Sequence, residues 1–285
     1  MRKKLLVLGA FVSVVMLVSC TGSKKEAVNY TPEEIADAGQ VVKYYDTSLA
    51  LLKNLVKERD VNAVLGYMEQ QAKVQMFSHI MSPVISKKDS AAVIQPGDYF
   101  GDDVRQNLIQ NYTELFQSRG QFYANFNKYL SLLKEKKTEG IADLLNDNYE
   151  LSVEMSECKQ NIFDILSPIV AQAQQVLLAE NPVKEQIIAM KKMSLTMQSI
   201  INQIYARKHV EDKVRLDLKI VELRLQLDAA EKLPAVKGHE EQTEKFKDFL
   251  SKTEKFMKIV QDIRQKNSYT EEDFDEISSY GLSII

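Results

Sequence analysis

A chain of 285 residues with ten glycines, six prolines and a 45% hydrophobic share can bury a sizeable core, which excludes collagen-like and largely disordered classes. Its 37 basic and 40 acidic side chains nearly cancel, so nucleic acid is a poor partner. Two cysteines cannot build a disulfide scaffold.

The first twenty residues read as an address. Arg2, Lys3 and Lys4 precede an apolar run from Leu5 to Val18, 14 residues long. That is short for a membrane-spanning helix and right for the core of a signal peptide. The run closes on Leu17-Val18-Ser19-Cys20, which resembles the lipobox of bacterial lipoproteins. A small residue before the cut suits the peptidase, and only a thiolate can form the thioether to diacylglycerol. Residues 1–20 are therefore expected to be a lipoprotein signal, with Cys20 the lipidated residue and several acyl chains holding the protein to a membrane. Cleavage would remove Arg2, Lys3 and Lys4 and no acid, taking the net charge from −3 to −6. Thr21 follows the cysteine, without an acidic run behind it. That favours an outer-membrane lipoprotein facing the periplasm over one displayed at the surface. Residues 21–31 form a polar tether.

From 32 to 285 the apolar residues recur with period 3.5–3.6, so the body is expected to be one all-α domain, an elongated antiparallel bundle of about five to seven helices. Thr31-Pro32-Glu33-Glu34 supplies an N-cap, a proline at N1 and a capping-box acid. The seam of this first helix reads Ile35, Ala38, Val42, Tyr45, Leu49, Leu52, Val56. Asp60 is the expected N-cap of the second, with Val61, Leu65, Met68, Ala72, Met76 and His79 as its stripe. Residues 82–101 make one long irregular loop that could carry a small two-stranded excursion. A third helix spans Asp102 to Lys137, followed by a turn at Thr138–Gly140. The fourth carries Ile141, Leu144, Leu151, Met155, Cys158, Ile162, Ile165 and Ile169, its register continuing through Pro168 as a kink. Asn181-Pro182 opens the fifth. Its spacing slips between Arg207 and Glu211, which predicts a bend or stutter. Beyond it lies a seam at Val210, Val214, Leu218, Val221 and Leu225, with Leu216, Ile220, Leu223 and Leu227 on a neighbouring face. So wide an apolar surface predicts a helix covered on two sides. The sixth helix uses Phe246, Phe249, Thr253, Phe256, Val260 and Ile263. A short seventh begins at Thr270.

Motifs that carry chemistry are missing. His79, His209 and His239 fit neither HExxH nor the Glu-x-x-His spacing of di-iron bundles. Gly238-His239-Glu240-Glu241-Gln242 misses the spacing of imelysin-type metallopeptidases. No CxxCH, GxGxxG or Walker pattern occurs, so no metal or cofactor is expected. Cys158 reads as a buried, inert thiol, and Met190, Met193 and Met197 as core. One group stands out. Asp98, Tyr99, Phe100, Asp102 and Asp103 crowd the mouth of the third helix. They could hold a cation or a small ligand over an aromatic floor, or simply cap the helix.

A lipobox ahead of a helical body resembles the YiiG-like family of bacterial lipoproteins, the likeness resting on Val41-Val42-Lys43-Tyr44-Tyr45-Asp46-Thr47-Ser48-Leu49 and the amphipathic helices after it. The resemblance implies a helical fold and an envelope location, and carries over no catalytic residues. The expected function is a non-enzymatic, lipid-anchored interaction or scaffold module with a protein partner. The alternative is a small-ligand or cation binder using residues 98–103.

Overall fold

The computed structural model describes residues 29–69, 87–205, 210–265 and 270–280; Cys20, His79 and His209 fall outside these. The fold is all-helical, with nine helical segments among the described residues. Helix α1 (Pro32–Leu55) starts where its signature places it. The Glu34 N–H donates to Thr31 Oγ1 at 3.2 Å, and the Thr31 N–H donates to the Glu34 carboxylate at 2.8 Å.

The buried face of α1 is broader than the heptad seam and rotated from it. Val41, Tyr44, Ser48, Leu51 and Leu55 are buried beside Ala38, Tyr45 and Leu52. Ile35 is 45% exposed, and Val42 and Leu49 only border the core. The cause is that α1 touches both α5 (Ile141–Leu177) and α3 (Lys87–Val93), so an apolar stripe one residue wide is not enough. Its last carbonyls have no intrahelical donors. Arg119, buried on α4 (Asp102–Lys134), supplies one: Nε donates to Leu55 O at 2.9 Å while the guanidinium stacks 5.0 Å from the Tyr123 ring centroid. A cation at the negative end of a helix is also favoured by the dipole.

Helix α2 (Glu58–Glu69) begins two residues before the expected cap, so Asp60 lies inside it. Val61, Val64, Leu65 and Met68 are buried as one stripe; Ala72, Met76 and His79 lie outside the described residues. The loop expected at 82–101 contains α3, and no strand occurs in its described part, 87–101. Lys87-Lys88-Asp89-Ser90-Ala91-Ala92 lacks the β-branched and aromatic residues that favour a strand. Tertiary contact holds the helix instead: buried Tyr44 donates its hydroxyl to Val93 O at 2.6 Å.

Helix α4 ends earlier than expected, at Lys134, in a Schellman arrangement. The Lys137 N–H reaches Leu132 O and the Lys136 N–H reaches Leu133 O, which puts Lys136 at φ +56°. Gly140 follows at φ +79°, where a glycine avoids the Cβ clash. Helix α5 does not end at Pro168, as its continuous apolar register predicts. The Asn181 side chain accepts from the Val183 N–H at 3.0 Å and opens α6 (Lys184–Tyr205).

The spacing slip expected as a bend or stutter falls largely at 206–209, outside the described residues, but the helices on either side of it are antiparallel, not one bent helix. Gln226 of α7 (Val210–Ala230) donates to Thr196 Oγ1 at 2.9 Å, and Gln186 donates to Pro234 O at 3.0 Å, so α7 runs back along α6. On α7 the second apolar face wins the core: Leu216, Ile220, Leu223 and Leu227 are buried. The expected seam is not covered. Val214, Leu218, Val221 and Leu225 are 60%, 65%, 56% and 64% exposed.

Helix α8 (Glu240–Gln265) buries every residue of its expected stripe. Helix α9 (Glu271–Ser278) starts in a second capping box, between Thr270 and Asp273. The apolar interior falls into two clusters. One gathers buried residues between Ala38 and Ala173, from α1 to α5. The other gathers Met193 to Ile277, from α6 to α9. Helices α5 and α6 touch along the boundary.

Candidate functional site

The acidic and aromatic group at 98–103 does come together, at the corner between α3 and α4. A turn closes through the Phe100 N–H and Gly97 O at 3.1 Å. The Tyr99 ring lies against Gly97, so close that a Cβ there would stand 2.2 Å from its Cε1. Phe100 is 3% exposed, meets Tyr44 edge-on at 5.1 Å and touches Tyr99 at 4.9 Å. Its ring thus closes the first core. Asp102 and Asp103 occupy the first turn of α4, where the helix dipole favours acids, since the N-cap Gly101 offers no side-chain acceptor. Arg105 pairs with Asp98 at 2.9 Å and with Asp102 at 3.6 Å, both carboxylates largely in solvent. The corner therefore has its own counter-ion and a packed floor.

A polar seam is buried between α5 and α6 and comes to the surface at α7. Gln160 donates to Ser199 Oγ at 3.1 Å and to Asp164 at 2.9 Å. Asp164 in turn pairs with Arg215 of α7. Gln198 donates to Asn202 at 3.0 Å. The Gln160–Ser199 bond and the Asp164–Arg215 pair join different helices and so favour one pairing of their faces at the junction of the two cores. Reading the sequence missed this seam, because Gln160, Gln198 and Ser199 look like solvated positions until the fold covers both sides of α5 and α6.

Cys158 is 3% exposed, with Sγ 3.9 Å from a Glu114 oxygen. Burial, reinforced by the Glu114 and Glu154 charges, pushes its thiol up to about 12, the opposite of what a nucleophile needs. Met193 and Met197 are core, with Met190 packed against them. Among the described residues no group of three or more His, Cys, Asp or Glu stands close enough to hold a metal ion. No described helix is long and apolar enough to cross a membrane. An open cleft of about 430 Å³ lies at the turn from α7 to α8, bordered by Val236, Lys237, Glu240, Thr243 and Lys247. The Glu240 carboxylate there accepts from the Gly238 N–H at 3.0 Å, which holds it below the usual carboxylate range.

Among the described residues, the most exposed large apolar side chains are those of the α7 stripe. At about 100° per residue, Val214, Leu218, Val221 and Leu225 fall within roughly 60° of one another, opposite the buried face. Arg215 and Glu222 flank one side, Asp217 and Arg224 the other. Asp217 pairs with Arg264 of α8, and Glu222 with Lys219 at 3.0 Å.

Comparison with known proteins divides the chain where the two cores divide. Residues 32–180 match the domain of unknown function DUF6845, and residues 182–285 match the DUF3829-like C-terminal domain. The chain belongs to the DUF6845 family, with a DUF3829-like C-terminal domain. It is similar to a crystallised alpha helical protein from Bacteroides fragilis NCTC 9343, at 53% identity and a TM-score of 0.81, over 88% of this chain and 98% of the other. It is also similar to an uncharacterized DUF3829-like protein from Bacteroides thetaiotaomicron VPI-5482, at 49% identity and a TM-score of 0.77, over 89% of this chain and all of the other. No curated protein matches. The helical fold that the sequence resemblance implied is the fold found.

Proposed function

We propose that the protein is a lipid-anchored envelope lipoprotein whose helical body is a non-enzymatic interaction or scaffold module. The observation that carries the interaction reading is the α7 stripe, four large apolar side chains 56–65% exposed in one row. Water-exposed apolar surface in a continuous row is costly unless something covers it, whereas scattered exposed apolar residues are ordinary. The anchoring part rests on Leu17-Val18-Ser19-Cys20 behind its basic and apolar segments, and the likeness of residues 41–49 to YiiG-like lipoproteins supports it. The ten residues from Thr21 to Tyr30 span about 30 Å when extended, enough to hold the body clear of the headgroups. Thr21, with no acidic run behind it, favours the periplasmic face of the outer membrane.

The alternative, a cation or small ligand at Asp98, Tyr99, Phe100, Asp102 and Asp103, ranks second. Arg105 already balances two of the acids, and the Phe100 ring faces inward. Purifying the intact protein from membranes and identifying what accompanies it separates the two. A protein that co-purifies through α7 supports the module. A small molecule that co-purifies, with no protein, overturns it. Fractionation of Cys20→Ala tests the anchor: the variant leaves the membrane pellet after a carbonate wash, and its retention there counts against lipidation.

A further inference from the structure

We infer that the α7 stripe is the interface of an antiparallel homodimer, α7 against α7 of a second copy. The inference deepens the interaction reading above and rests on it. Val214, Leu218, Val221 and Leu225 are spaced 4, 3, 4, the a/d rhythm of a two-helix seam, and the rest of α7 is already packed on its opposite side. The flanking charges select the occupant. In an antiparallel pair related by a two-fold axis, each flank of one helix meets the same flank of the other. Val214 then stands level with Leu225 of the second copy, and Leu218 with Val221. On one flank Asp217 meets the second Arg224, and Arg224 the second Asp217. On the other, Arg215 meets the second Glu222, and Glu222 the second Arg215. All four contacts join opposite charges. A parallel pair would set Asp217 against Glu222 twice, acid on acid.

The surface is therefore complementary to itself in one orientation only, the pattern of an isologous two-fold interface. The internal contacts leave part of each side chain exposed, although Glu222 already accepts from Lys219 and Gln226, and Asp217 pairs with Arg264 through one oxygen while its other oxygen is buried. Arg215, paired with Asp164, is still 47% exposed, Asp217, paired with Arg264, 39%, and Glu222, paired with Lys219, 41%. Arg215 and Asp217 are held in place, which lowers the entropy cost of a second partner. With α5 on one side and α8 on the other, the pairs brace α7 as an upright ridge that a second copy can meet.

Disulfide trapping of the full chain in membranes, with copper-catalysed oxidation, tests orientation. Val214→Cys mixed with a differently tagged Leu225→Cys is expected to give a mixed dimer. Each variant alone gives no band above the unsubstituted chain, because like positions are about 16 Å apart along the axis. Bands from each variant alone, with no doubly tagged dimer from the mixture, indicate a parallel or different pairing and overturn the inference. Sedimentation of the purified full chain tests the surface. The double variant Leu218→Lys/Leu225→Lys and the single variant Arg224→Glu each weaken the dimer at least tenfold with the melting temperature unchanged, since all three side chains are exposed. A wild-type chain that is monomeric up to about 100 µM, or a dimer indifferent to these variants, refutes it. The two readings fail separately. A membrane-bound monomer removes the dimer and leaves the anchor. A dimer in the soluble fraction removes the anchor and leaves the dimer.

Discussion

Tyr44→Phe removes one oxygen atom and should loosen one helix. The Tyr44 hydroxyl is the donor that satisfies Val93 O, 2.6 Å away, at the C-terminus of α3. Both residues are buried, at 5% and 0% exposure, so water cannot take the hydroxyl's place. The ring itself stays against Phe100, and the apolar contact is kept. The cost is then that of an unsatisfied buried carbonyl, about 1–3 kcal/mol. In a chain of this size each kcal/mol moves the melting temperature by about 2–4 °C. Urea denaturation gives the loss directly, with an unchanged slope. Hydrogen exchange locates it: amides of residues 90–94 exchange faster, while those at the centres of α4 and α5 change little. A loss below about 0.5 kcal/mol, or acceleration spread evenly over the first core, would refute the idea that this bond holds α3 in place.

Three other outcomes follow from the same geometry. Lys136 holds a left-handed conformation that glycine adopts freely, so Lys136→Gly is expected to raise stability by about 1 kcal/mol in urea, and a destabilised variant would contradict the Schellman assignment. Burial raises Cys158, Tyr44, Tyr45 and Tyr112 above their ordinary values, so the folded state keeps protons that the unfolded chain releases. Stability is therefore intact below about pH 8.5–9 and falls as pH rises, by up to about 1.4 kcal/mol per unit for each group in its window, with Cys158→Ala delaying the onset; a flat profile to pH 11 would refute it. At pH 7 the Cys158 thiol should label with a maleimide only at the rate of unfolding, and immediate labelling of the native protein would mean it is accessible.

Where local signals decided structure, the sequence was readable. Thr31–Glu34 and Thr270–Asp273 both start helices, because a capping box needs only four neighbouring residues. Pro168 did not end α5, since an apolar register running through both sides outweighs one missing donor. Tertiary competition decided the rest. Strict heptad spacing passes over Tyr44 and Ser48, yet α1 buries both because it meets two neighbours. Seven mostly polar residues at α3 show no period, and a hydroxyl from α1 holds them. On α7 both faces are apolar, and pattern alone cannot say which one α6 covers. The 98–103 group was visible as a cluster, but its counter-ion Arg105 and the inward turn of Phe100 appear only in three dimensions.

The intact mass of the mature protein extracted from cell membranes decides whether the helical body is lipid-anchored. The expected species begins at residue 20 and carries the added mass of diacylglycerol on its sulfur, with or without a further acyl chain on the amino group. A chain that retains Met1, or one cut near residue 20 without any lipid mass, rules the anchor out.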